Sequence, residues 1–156
     1  MNPTHRGPLA ATILALCLAS PARAASDLAI SQVYGGGGNS GAPFNRDFVE
    51  VFNRGPVPAS LNGLSVQYAS SAGSFNNVAT LPDVTLQPGQ YFLLQLSGGA
   101  TGAALPTPDG TGSLSLAASS GKVALATGTT PLACGATGTT PAPCGSTELA
   151  RIVDLV

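Results

Sequence analysis

The sequence predicts an all-β sandwich, and three observations predict it. Short runs of apolar and β-branched residues recur along the chain, each closed by Gly, Pro, Asn or Asp. Past the first two dozen residues, no stretch places apolar residues at helical spacing. Charged residues make up 8% of the 156 residues while Gly, Ala, Ser and Thr abound, which suits many short strands joined by turns.

Leu28–Tyr34 reads as the first strand, followed by the glycine-rich loop Gly35, Gly36, Gly37, Gly38, Asn39, Ser40, Gly41. Residues 48–52 form the second strand. Phe48, Val49, Val51 and Phe52 surround one carboxylate, Glu50, so this strand is central or covered on both faces. Asn53 and Gly55 close it, because Asn bonds its own backbone and Gly tolerates positive φ. Leu64, Val66 and Tyr68 alternate with polar residues, the mark of a half-buried strand. Residues 78–86 give a weaker pair of strand pieces broken at Pro82. Pro88 and Gly89 suit the central positions of a type II turn leading into residues 91–96, the most apolar strand. Residues 97–112 read as a loop. Residues 114–116 and 123–125 are expected to form a hairpin around Ser119, Ser120 and Gly121. Residues 127–147, low in complexity, are expected to be a surface excursion, and residues 151–156 a last strand.

The N-terminal 24 residues read as a signal peptide. His5 and Arg6 supply a short positive region, residues 9–19 an apolar run too short to span a bilayer, and Ala22-Arg23-Ala24 a small-x-small cleavage signal. Cys17 does not fit a lipid-attachment site, because Leu16 stands where a small residue is needed. Cleavage after Ala24 removes the only histidine and leaves Cys134 and Cys144 as an even pair. In an exported chain such a pair reads as a disulfide rather than two free thiols. Closing a loop of about ten residues, it contributes on the order of 2–3 kcal/mol. The remaining residues 25–156 are enough for one domain with a real core. Their net charge, about −3, offers no electrostatic pull toward nucleic acid or an anionic membrane.

The unit from Phe48 to Gly55, FVEVFNRG, followed by Leu61-Asn62-Gly63-Leu64-Ser65-Val66, resembles the lamin tail domain. The later segments LQPGQYFLL and SSGKVALA fit the same pattern, so the resemblance covers residues 28–156. It implies an immunoglobulin-like β-sandwich, with Phe48, Glu50, Asn53, Gly55 and Gly63 as its structural motif. Relatives of this type continue past the point where this sequence stops. The resemblance therefore implies a domain lacking its last strand or strands, with a downstream endonuclease/exonuclease/phosphatase-type domain in a longer parent.

Residue content argues against catalysis. Without histidine neither a Ser-His-Asp triad nor a His-ligated zinc site is possible after cleavage. Asp47 and Glu50 are the most enzyme-like pair, but an offset of three along a strand puts them on opposite faces. The alternative has Asp47 as a loop cap and Glu50 as a partner of Arg46 or Arg54. The run from Gly35 to Asn39 could wrap a ligand with backbone N–H groups, yet it lacks the Lys-Ser/Thr ending of a phosphate loop and precedes a strand. It reads first as a flexible loop at the end of the sandwich. Tyr34, Tyr68 and Tyr91 could form a stacking surface for sugars or bases, but suit core or rim packing better. Asp83 and Asp109 lie in loops without the spacing of a calcium site. No catalytic residue, metal ligand or cofactor is assigned. The sequence points to a non-catalytic interaction or targeting module of an exported protein. Its partner is unknown and could be a downstream catalytic domain, a protein or a cell-surface polymer. The alternative is a free-standing adhesion or ligand-binding sandwich.

Overall fold

A computed structural model describes residues 27–136 and 143–156. The expected signal peptide, residues 1–24, lies outside the described residues, as does part of the expected 127–147 excursion. Among the described residues, ten strands and one short helix form two facing four-stranded sheets with a small two-stranded annex. The first sheet runs in the order β1 (Leu28–Tyr34), β2 (Arg46–Asn53), β7 (Tyr91–Gly98) and β8 (Gly110–Thr111). The second runs β10 (Ile152–Leu155), β9 (Gly121–Thr127), β4 (Leu64–Ser70) and β5 (Asn77–Thr80). The annex pairs β3 (Ala59–Ser60) with β6 (Thr85–Leu86). Among the described residues, the pairings between these strands are antiparallel except the short β7–β8 contact. This is the immunoglobulin-like sandwich, with sheets that do not close.

Period-two alternation builds the core. Leu28 and Ile30 of β1, Val49 and Val51 of β2, and Phe92, Leu94 and Leu96 of β7 point inward from the first sheet. Leu64, Val66 and Tyr68 of β4 and Val123 and Leu125 of β9 meet them from the second. β2 is central, as its apolar run requires. The turn before β7 has the expected form: Gln90 N–H donates to the Gln87 carbonyl at 3.0 Å, and Gly89 takes φ 79°.

The structure corrects four expectations. β4 is not half-buried. Its second face, with Ser65, Gln67 and Ala69, is covered as fully as its first. The cover comes from the stretch expected to be a surface excursion: Leu132 and Cys134 pack with Ala69, Phe75, Ala124 and Ala126 in a second core. Residues 114–116 form no hairpin with β9. Leu114 and Leu116 are buried in the main core, and the backbone there bonds to Ser97 and Gly36 instead. Finally, a six-residue helix, α1 (Ser146–Arg151), precedes β10, too short to leave an apolar period in the sequence.

Candidate functional site

The residues with most chemical promise gather where β1 leaves the first sheet and β2 enters it. Asp47 is the second residue of β2 and faces inward with Val49 and Val51. It is 2% exposed. One carboxylate oxygen accepts the Gly37 N–H at 2.6 Å and the other the Leu116 N–H at 2.7 Å. These partners lie 10 and 69 residues away in sequence, so a single side chain ties the glycine loop and the 114–116 segment to β2. Bonds to an ionised acceptor are among the stronger ones in a protein.

The glycine loop is hydrogen-bonded into the sandwich. Gly36 N–H donates to the Leu116 carbonyl at 3.2 Å, Gly38 N–H to Phe44 at 2.9 Å and Asn39 N–H back to Gly36 at 3.2 Å. With Gly37 on Asp47, four successive donors are engaged inside the protein. An anion arriving here would meet a carboxylate rather than open N–H groups. Glycine is demanded by space as much as by dihedral angle. A Cβ on Gly37 would lie 2.1 Å from the Arg46 carbonyl carbon, and one on Gly38 2.0 Å from the Gly99 nitrogen. A cavity of about 260 Å³ remains between this loop, Asp47, Ser97 and Ala117.

Glu50 sits on the opposite, outward face of β2. Ser31 Oγ donates to its Oε1 at 2.6 Å and to its carbonyl at 3.2 Å, so the partner is a hydroxyl where the sequence suggested Arg46 or Arg54. A bulge between Ile30 and Gln32 shifts the β1–β2 register beside this serine. Asp47 and Glu50 thus do not converge on one point.

Phe48 shares the outer face. Its ring stacks on Tyr34 at 5.4 Å and meets Phe44 edge-on at 6.0 Å. Tyr91 stacks on Phe52 at 4.4 Å at the other end of the strand and is the most open tyrosine, 54% exposed. Tyr68 lies in the core of the other sheet, where its Oη accepts the Ala117 N–H at 3.1 Å. The three tyrosines form no common surface.

Asn53 ends β2 fully buried and its side chain is saturated. Oδ1 accepts the Gly55 N–H at 3.0 Å, and Nδ2 donates to the Val57 and Leu86 carbonyls at 2.9 Å each. It thereby joins the turn after β2 to the β3–β6 annex. Gly63 takes φ 73° in the turn from Leu61 to Leu64, whose Leu64 N–H donates to the Leu61 carbonyl at 3.0 Å. Asp109 Oδ2 accepts the Leu93 N–H at 2.8 Å, while Asp83 is exposed. Among the described residues, no three His, Cys, Asp or Glu side chains are gathered to hold a metal ion. Cys134 and Cys144 are bonded.

Sequence reasoning missed Gln67. Its Oε1 accepts the Leu132 N–H at 2.8 Å, and its Nε2 donates to the Thr130 carbonyl and Ser65 Oγ at 3.1 Å each. The available signal was a glutamine in mid-strand between Val66 and Tyr68. Asp154 was missed too: its carboxylate accepts the Ile30 N–H at 2.7 Å, joining β10 to β1 across the two sheets.

The Lamin Tail Domain family model matches residues 21–139. The chain belongs to the lamin tail domain family. No curated protein matches it. The lamin tail domain is a non-catalytic immunoglobulin-like domain. Asp47, Asn53 and Tyr68 each act here as architectural acceptors or donors. The matched range ends before α1 and β10. Among the described residues no helix is long and apolar enough to cross a membrane.

Proposed function

We propose that this lamin tail domain is the interaction or targeting module of an exported protein, released by cleavage after Ala24. In a longer parent it stands beside a catalytic domain of the endonuclease/exonuclease/phosphatase type. The observation that carries the non-catalytic part is the state of Asp47. The most enzyme-like side chain of the sequence has both oxygens engaged by backbone N–H groups, inside the core, facing away from Glu50. Export is supported by the composition of residues 1–24 and by the Cys134–Cys144 bond, which fits an oxidising compartment. The low charge favours a protein or a neutral cell-surface polymer over nucleic acid as partner.

The test is expression of residues 1–156 in a bacterial host. The expected product is an extracellular or periplasmic chain whose intact mass begins at Ala25, retained on isolated cell envelopes and not on DNA columns. A product that keeps residues 1–24, or one held by DNA and not by envelopes, would contradict the proposal.

A further inference from the structure

The outer face of the first sheet carries side chains that the fold leaves half-used. Alternation and register set three cross-strand pairs on it between β2 and β7: Phe52 with Tyr91, Glu50 with Leu93 and Phe48 with Gln95. At one end Tyr91 lies on Phe52 with ring centroids 4.4 Å apart, yet it is 54% exposed, so one side of the ring packs while much of it stays open. At the other end, four residues and about 13 Å along the strand, Phe48 is walled by Tyr34 and Phe44. The middle is polar. Ser31 Oγ donates to Glu50 Oε1, whereas Glu50 Oε2 and the Gln95 side-chain amide have no partner among the described residues. Glu50 is the one charge in the three pairs.

We propose that this face binds a neutral glycan chain laid along β2 and β7, with one sugar ring on Tyr91 and hydroxyls on Glu50 and Gln95; the inference rests on the reading of the domain as an interaction module. An open tyrosine ring presents a large apolar surface with a polar tip, which suits the C–H face of a sugar edged by hydroxyls. A carboxylate oxygen accepts from sugar hydroxyls, and a glutamine amide both donates to them and accepts from them. Charge decides among the polymers. Nucleic acid or a polyanionic glycan would set its own anions against Glu50. A protein interface keeps charge out of its core, whereas here the carboxylate stands at the centre of the face. An apolar partner pressed over it would bury an ion with one oxygen unserved, at a high cost. A glycan supplies donors to that oxygen and keeps bridging water at the contact.

The test is retention of the purified chain on isolated bacterial cell envelopes that are untreated, stripped with protease, or oxidised with periodate, which cleaves the vicinal diols of sugars. Retention should survive protease, be lost after periodate, and change less than twofold at about 0.5 M salt, since no pairing of charges holds it. Tyr91→Ala and Glu50→Ala should each bind untreated envelopes at least tenfold more weakly, and Tyr91→Phe, which keeps the ring, within threefold of the parent. The protease and periodate arms use the unaltered chain, so they decide even where a variant fails to fold. Retention that protease destroys, that periodate leaves intact, or that folded Tyr91→Ala keeps in full overturns the glycan face and leaves the interaction module standing. No retention on untreated envelopes overturns the module reading itself, and the glycan face with it.

Discussion

Replacing Asn53 with alanine removes three hydrogen bonds at once. The Leu86 carbonyl it serves is buried, and the Val57 carbonyl and Gly55 N–H are partly so. An unsatisfied buried group costs about 1–3 kcal/mol, and a partly hydrated one less, so the sum is about 3 kcal/mol. Small domains have total stabilities of about 5–15 kcal/mol, which makes this a large fraction. With a urea slope of about 1.5 kcal/mol per molar, the midpoint should fall by about 2 M. Asn62→Ala is the control. That residue is exposed in the Leu61–Leu64 turn, and its loss should stay within about 0.5 kcal/mol. Asn53→Asp should cost at least as much as alanine, since it keeps the acceptor for Gly55 but sets a buried carboxylate oxygen against the Val57 and Leu86 carbonyls. Equilibrium unfolding followed by circular dichroism decides the matter. If Asn53→Ala unfolds at the same urea concentration as Asn62→Ala, the side chain does not hold the annex to β2 and the reasoning fails.

Other substitutions probe the rest of the framework. Asp47→Asn can accept from only one of Gly37 and Leu116 while its NH₂ group faces the other donor. It should cost about 2 kcal/mol in an unfolding titration, and an unchanged midpoint would contradict the double cap. Gly37→Ala drives a Cβ into the Arg46 backbone and should destabilise far more than Gly41→Ala. The latter points into open space and costs only about 1 kcal/mol for its positive φ, so the reverse order would be refuting. Gln67→Leu strands the Leu132 N–H and leaves the Thr130 carbonyl to Arg151 alone. Amide exchange at Leu132 should accelerate at least tenfold, and undiminished protection would show that packing alone holds the segment.

Much of the sandwich was legible because its strands obey simple patterns. The apolar run around Glu50 marked a central strand, and Pro88-Gly89 marked a turn that has the geometry those residues favour. Leu114 and Leu116 misled because alternation reports burial, not pairing. Both are buried, but their backbone is satisfied by a carboxylate, by Ser97 at the end of β7 and by the glycine loop. Leu132 and Cys134 misled in the opposite way. Two apolar residues in a Gly/Thr/Pro-rich stretch look like loop, and the glutamine that fixes them lies 65 residues away. The candidate site was legible in its residues and not in its wiring. Asp47 reads as a cap from its place before an apolar strand, yet nothing local says that its second partner is Leu116. The glycine run reads as pliant, and nothing local shows how closely the Arg46 and Gly99 backbone approaches it.

The most direct test is an activity assay on residues 25–156. It should be run against DNA, phosphate esters and glycosides, with and without Mg²⁺, Mn²⁺ and Ca²⁺. Asp47 serves as an internal cap and Glu50 faces Ser31 on the other side of β2, so no turnover above a buffer control is predicted. Turnover that disappears in Asp47→Asn or Glu50→Gln would make those carboxylates a working site and contradict the non-catalytic module.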